Sequence, residues 1–319
     1  MGKAYASTII DAPVEAVWEV ARDFNGLPNW NPGVVHSEIE DGLDADVVGC
    51  IRSFALADGT AVRERLLSLD DSRYCFTYNF ETPAFPVRNY TAGMELIPET
   101  KEERTFVRWW AEFDEAPGDE GKYVEIISNN VFAMGLVALA EKVAGSAAPV
   151  DAQRWQGLRP AKVFTSSVIS APIDTLWEKM RDFAGMGSWH SDITKMHMLD
   201  GARSDKISGV REFLFGDGQL WEQLTYLSDT EHAFRYRILK SPMPWLNYHA
   251  GARLYPVSDR KATFAVWTAD WTASPLDDLE LVPNVHNNVF QKAFDTLEAA
   301  AVPAENRTEW QRLQIPRNI

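Results

Sequence analysis

Six histidines occur in this chain of 319 residues, and only His36 lies in its first half; His190, His197, His232, His249 and His286 all follow. Histidine is the side chain that ordinarily changes charge near neutral pH, so an imidazole set against an apolar surface is a candidate general acid or base. His286 stands in such a setting. It opens "HNNVFQKAFDTL" (His286–Leu297), and "SNNVFAMGLVAL" (Ser128–Leu139) writes the same "NNVF" earlier with serine in its place. On a helical period His286 lies over Val289, Phe290 and Ala293, and Asn287 over Phe290 and Phe294. Asn287 and its counterpart Asn129 can then cap, bond a strand or touch a ligand. The repeated asparagine points to scaffold, and the change from Ser128 to His286 points to chemistry in the second stretch.

Charged residues on apolar strand faces are the next candidates, because alternate side chains of a strand share a face. In "GCIRSFAL" Arg52 sides with Phe54, and in "VRERL" Glu64 sides with Val62 and Leu66. In "GVREFLF" Arg211 sides with Phe213 and Phe215, and in "LWEQL" Glu222 sides with Leu220 and Leu224. Charges are rarely buried without partners, so Arg52 should pair with Glu64 and Arg211 with Glu222. Such pairs either fix sheet register or anchor a ligand. The same parity groups Phe76 with Tyr78 and Phe234 with Tyr236, and gives Tyr90, Tyr248, Trp109 and Trp267 faces shared with alanines. These aromatics are ordinary core or the walls of a cavity that offers phenol and indole groups. Glu112, Asp270 and His249 have the opposite parity and rank lower. His190 and Asp192 follow Trp189 in a loop that could rim a pocket.

Other chemistries find little support. "WHSDITKMH" brings His190, Asp192 and His197 together, but at no standard zinc spacing, so no metal is expected. The sequence lacks "GxSxG", "GxGxxG" and the phosphate-binding loop, so no cofactor is expected either.

The elements that position these residues come in two sets. "APVEAVWEVARDFNGLPNW" (Ala12–Trp30) realigns with "APIDTLWEKMRDFAGMGSW" (Ala171–Trp189), "FPVRNYTAGMELIP" with "MPWLNYHAGARLYP", and "TFVRWWAEFDEAP" with "TFAVWTADWTASP". The offset drifts by one residue over the whole span, which implies duplicated domains rather than a short repeat. We place them at 1–147 and 161–302, with a linker rich in small residues and proline at 148–160 and a tail at 303–319. Each copy reads as a short strand, a helix opening on Pro13 or Pro172, period-two segments broken by hairpin-type turns, and one long apolar helix. That order gives an α+β domain whose curved antiparallel sheet wraps the last helix.

Composition narrows the class. With 45% hydrophobic residues the chain can bury two cores, and 12% aromatics suit curved sheets around an apolar interior. A net charge of −15 without clustered Lys or Arg speaks against nucleic acid and against an anionic membrane as partners. Two cysteines are too few for a disulfide framework; they form one bridge or none. A signal-like h-region is missing from the start, and no apolar run reaches membrane-spanning length on this reading. A cytoplasmic protein is expected, and a homo-oligomer is compatible with the sequence.

The ordered set "APVEAVWEVARDF", "NW", "GCIRSF", "VRERL", "FTYNF", "FPVRNY" and "VRWWAEFDEAP" resembles the helix-grip superfamily, which includes START domains, birch-pollen-allergen-like proteins and polyketide cyclases, and in particular its bacterial polyketide cyclase/dehydrase-like branch. The resemblance covers both copies almost end to end. It implies two tandem helix-grip domains, each with a deep apolar cavity between sheet and last helix, and a hydrophobic small molecule as ligand. Fold does not decide activity. One expectation is a cofactor-independent acid/base enzyme acting on an aromatic or polyketide-like compound by cyclisation, dehydration or, ranked lower, retro-aldol carbon–carbon cleavage. In it His286 moves a proton, Glu222 held by Arg211 orients a substrate oxygen, Tyr236 and Tyr248 hydrogen-bond it, and Trp267, Asn287 and His190 complete the site. In the first copy Arg52, Glu64, Tyr78, Tyr90 and Asn129 would line the equivalent pocket. The alternatives are a carrier with two pockets, and a first copy that serves only as scaffold.

Overall fold

A computed structural model of the chain describes residues 1–146 and 161–302. The expected linker and the C-terminal tail lie outside the described residues. The chain divides into two compact units, one built mainly from each half.

In the first unit β1 (Gly2–Ile10) leads to α1 (Val14–Ala21), then to β2 (Val34–Ile39), β3 (Ile51–Leu56), β4 (Ala61–Asp70), β5 (Cys75–Thr82), β6 (Arg88–Glu99) and β7 (Arg104–Asp114). The strands form one seven-stranded sheet in the order β1-β7-β6-β5-β4-β3-β2. Pro13 starts α1, and Val14, Val17, Trp18 and Ala21 are buried, as the helical spacing required. Bulges between Arg63 and Glu64 and between Leu66 and Ser68 bend the sheet. The closing helix runs through α2 (Lys122–Ile126), a π-helical segment (Ile127–Ala133) and α3 (Met134–Val143). By length and composition this stretch, Lys122–Val143, is apolar enough to cross a membrane, which the sequence reading missed. Its Ile127, Phe132, Leu136 and Leu139 are buried in the core of this unit. Cys50 and Cys75 are free thiols.

The second unit repeats the plan with β8 (Val163–Ile169), α4 (Ile173–Met180), β9 (Ile193–Met198), β10 (Val210–Phe215), β11 (Gly218–Ser228), β12 (Ala233–Lys240), β13 (Leu246–Val257) and β14 (Ala262–Thr272). Its sheet order is the same, β8-β14-β13-β12-β11-β10-β9, and bulges recur beside Glu222 and Leu224. The β10–β11 turn is tighter than its counterpart, with Phe215 opposite Gly218 and Gly216 at φ +58°, and this accounts for the one-residue drift in the repeat. The last helix runs through α5 (Pro275–Asn284), a π-helical segment (Val285–Gln291) and α6 (Lys292–Ala301). Ser274 caps it by accepting from the Asp277 N–H at 3.1 Å.

Both "NNVF" stretches therefore lie in π-helix, where successive hydrogen-bond partners are five residues apart. Ile127 with Phe132 and Val285 with Phe290, each pair five apart, are the buried residues of the two segments. Pro283 inside α5 is not the cause, because the first unit makes the same π segment with Glu125 at the matching position.

Candidate functional site

The second unit holds a cavity of about 120 Å³ between its sheet and its last helix. Strands supply Glu222, Tyr236, Tyr248 and Trp267 to its wall, the loop after α4 supplies Met186 and His190, and the loop before β13 supplies Met243 and Trp245. The helix contributes Asn284, Val285, Val289 and Ala293. A larger depression of about 590 Å³ on the first unit is an open polar groove beside Asp23, His36 and Asp44 and involves none of the anticipated site residues.

Glu222 sits directly across from Arg211 in the β10–β11 register. Its Oε2 accepts from Arg211 Nε at 2.8 Å and Nη2 at 2.5 Å, and Oε1 makes none of these bonds. Arg211 Nη1 donates to the Phe183 carbonyl at 2.5 Å, and the guanidinium lies 3.9 Å from the centre of the Phe183 ring. Burial pushes the Glu222 carboxyl above its usual range, against the opposing charge and hydrogen bond of Arg211. The Tyr236 and Tyr248 phenols are also pushed up, by burial first and then by the charge of Glu222 for Tyr236 and by Tyr236 for Tyr248, so both stay protonated donors.

His190 is 2% exposed. Its backbone N–H donates to the Met186 carbonyl at 2.8 Å and its carbonyl accepts from Ile193 N–H, so the loop turn holds the ring in place. The Asp192 N–H donates to Nδ1 at 3.3 Å, which puts the proton of a neutral ring on Nε2. Burial is the largest influence on this imidazole and holds its pKa below the ordinary value, while Asp192 pulls it back up. Asp192 is in turn bonded to Lys292 of α6 at 2.5 Å, which outweighs burial and holds the carboxyl below its usual range.

The first unit builds the same frame and packs it differently. Arg52 and Glu64 face each other in register, bonded at 2.7 Å, and Arg52 Nη1 donates to the Phe24 carbonyl at 2.7 Å. There the Trp109 N–H donates to the Tyr78 hydroxyl at 2.8 Å, and Phe80 stacks on Tyr90 with ring centres 4.0 Å apart. In the second unit Ile238 stands where Phe80 does. Trp267 leans toward the Tyr236 hydroxyl, but its N–H lacks a hydrogen bond of sound geometry. The Arg–Glu pairing expected from strand parity thus forms in both units, whereas Tyr78 and Tyr90 are core residues locked by their neighbours.

Three anticipated positions fall elsewhere. His286 is not in the cavity wall; its Nδ1 shares a hydrogen bond of 2.7 Å with the Thr165 hydroxyl on β8. Asn287 and Asn129 are solvent-exposed. The cause is the π segment, which rotates the helix so that Asn284 and Val285 meet the cavity beside Val289 and Ala293, and His286 and Asn287 do not. Among the described residues no group of three His, Cys, Asp or Glu side chains is placed to hold a metal. Asn284, Ile238, Trp245 and Met243 are wall residues that sequence reasoning passed over. For Trp245 and Met243 the only signal was their place in the loop before "LNYHAGARLYP".

Residues 1–144 and 160–302 each match the family described as polyketide cyclase / dehydrase and lipid transport. The fold and the double match define the class: the chain belongs to this family and carries its helix-grip domain twice. Among solved structures, a Thermobifida fusca protein is 32% identical, the match covering 45% of this chain and 94% of that one with a TM-score of 0.41. An uncharacterised Bacillus thuringiensis protein is 25% identical over 44% of this chain and 98% of its own, also with a TM-score of 0.41. The di-domain ARO/CYC BexL from the BE-7585A biosynthetic pathway is 11% identical, with 95% of this chain and 99% of that one covered and a TM-score of 0.39.

Proposed function

We propose that the second domain is a polyketide-cyclase-type enzyme site that performs acid/base chemistry on a small aromatic or polyketide-like compound, with the first domain as its packed structural copy. The observation that carries this reading is the contrast between the copies. One frame of Glu, Tyr, Tyr and Trp, backed by Arg, is tied together in the first domain by the Trp109–Tyr78 bond and the Phe80–Tyr90 stack, and lines a cavity in the second. Size sets the substrate scale: about 120 Å³ is somewhat less than the roughly 150 Å³ of an engineered cavity that takes up benzene, so the site as it stands holds no more than about a single ring.

In this reading Glu222 is the proton-transfer group. Arg211 holds one carboxylate oxygen, Oε1 is left for the substrate, and burial raises the carboxyl toward the range where it both takes and returns a proton. It removes a proton beside a substrate carbonyl while Tyr236 and Tyr248 donate to the carbonyl oxygen. Returning that proton to a leaving hydroxyl completes a dehydration, and directing the enolate onto a second carbonyl completes a ring closure. Every step uses the chain's own side chains, without a cofactor. A carrier is the second reading, favoured by the recurrence of the Arg–Glu pair in the first domain with the same bonds.

The test is incubation of the purified protein with a panel of monocyclic aromatic and short polyketide-like compounds, followed by native and product mass spectrometry. Wild type, Glu222→Gln and Glu64→Gln are compared. Product from wild type and Glu64→Gln but not from Glu222→Gln is the expected result. Bound compound without product moves the assignment to a carrier, and no binding by any protein overturns both readings.

A further inference from the structure

Three N–H groups belonging to residues of the second domain's cavity wall lack a well-formed hydrogen bond within the protein: Nε2 of His190 and Nε1 of Trp245 and Trp267. Two of these side chains, His190 and Trp267, are 2% exposed; the Trp245 ring is partly exposed, but its nitrogen is shielded. Buried donors are nearly always satisfied, because a donor stripped of water and given nothing in return destabilises the fold. The protein's own acceptors nearest two of them, the Val289 carbonyl beside His190 and the Tyr236 hydroxyl beside Trp267, are met only in poor geometry, so the three donors call for a better-placed acceptor.

The first domain serves as an internal control. The counterpart of His190 is Asn31, whose side-chain oxygen accepts from the Gly33 N–H at 2.9 Å. The counterpart of Trp245 is Val87, a buried apolar side chain. Trp109, the counterpart of Trp267, donates to Tyr78. By contrast Trp30 and Trp189, which also correspond, lack a partner at Nε1 in both domains, so their lone N–H belongs to the common scaffold. The three cavity donors are specific to the second copy.

None of the three can accept in this arrangement. Indole N–H is a donor only, and the Asp192 N–H on Nδ1 leaves His190 a donor at Nε2. Of the charged groups nearby, Glu222 is paired with Arg211 and Asp192 with Lys292, and the Tyr248 hydroxyl turns to Tyr236; the charge of Glu222 still opposes a second anion, as it does the Tyr236 phenolate, and the N–H groups have to outweigh it. Neutral donors gathered in an apolar pocket act most strongly on an oxygen that carries negative charge.

We infer that this cavity recognises an oxyanion, a phenolate or the enolate of a carbonyl compound on a body about one ring in size, through the N–H groups of His190, Trp267 and Trp245. The inference rests on the second-domain cavity being the ligand site. His190 is thereby a neutral hydrogen-bond donor to substrate, and the proton transfer is left to Glu222.

The experiment uses 4-nitrophenol, whose phenolate absorbs in the visible while the neutral phenol does not, titrated into the full-length protein below the pH at which the free phenol ionises. The expected result is uptake of the coloured phenolate, so that the bound phenol ionises at lower pH than the free one. Affinity for the phenolate should fall about tenfold in His190→Phe and in Trp267→Phe, and should hold in His190→Gln, whose amide N–H can replace Nε2–H. Wild type alone already decides between outcomes should a variant not fold. Binding of the colourless phenol, with its ionisation shifted to higher pH, overturns the oxyanion inference and leaves the cavity as a ligand site whose N–H groups serve water. A wild-type protein that takes up neither form, with binding followed by calorimetry, overturns the cavity reading itself.

Discussion

Replacing Ile238 by phenylalanine copies into the second domain the residue that stacks on Tyr90 in the first. Phe80 stacks on Tyr90 at 4.0 Å, and Ile238 occupies the matching place beside Tyr248 on the cavity wall. A void of about 120 Å³, at roughly 24 cal/mol per Å³, represents roughly 3 kcal/mol of forgone stability. One isoleucine-to-phenylalanine change fills only part of that space, and crowding within a packed core takes back a further share, so the expected gain is about 1 kcal/mol. Ligand affinity should move the other way and fall at least about tenfold, since the added ring occupies the volume a substrate ring would use. Stability is read by urea unfolding with separate probes for each domain, because two domains need not unfold together; affinity is read by 4-nitrophenol titration of the same samples. Unchanged affinity in a stabilised protein would refute the placement of the ligand. A loss of more than about 1 kcal/mol would refute the geometry, by showing that the wall has no room for the ring that its sister domain accommodates.

Stability of the second domain should also depend on pH through His190. Its folded pKa lies below the ordinary imidazole value of about 6.5, so between the two values the unfolded chain holds a proton that the folded chain does not. Stability then falls as pH drops below about 6.5 and levels off once the folded ring also protonates. The difference between wild type and His190→Gln, followed by unfolding from neutral to mildly acidic pH, isolates this dependence; equal slopes in the two proteins would show that His190 is not buried in its neutral form. His286→Ala should remove the bond to Thr165 and cost about 1 kcal/mol while leaving 4-nitrophenol affinity intact. A loss of affinity in that variant would return His286 to the site.

What the sequence made legible follows from which periodicities are rigid. A strand's period of two is enforced by the pleat, so Arg52 with Glu64 and Arg211 with Glu222 could be paired by parity alone, and both pairs stand directly opposite in register. The duplication was equally plain, because both copies keep the same order of strands and turns. The helix period is softer. Seven π-helical residues in each closing helix add enough to each turn to keep the phenylalanine of "NNVF" in the core while its asparagines turn away, so that Asn129 and Asn287, placed inward on an ordinary helical period, face solvent. Histidine asymmetry directed attention to the second copy, where the cavity is; of its two candidate rings His286 lies in the π segment and bonds Thr165, while His190 is carried into the wall by a loop turn that no periodicity describes. The difference in packing between the two copies was the least visible of all. It depends on Phe80 against Ile238 and Val87 against Trp245, apolar exchanges that leave the pattern untouched and alter only volume and donors. A duplicated domain allows the comparison that a single copy does not. Where both copies hold a charged pair in the same bonds, the pair belongs to the fold first; where one copy alone leaves donors without partners around a cavity, those donors are the stronger guide to what the molecule binds.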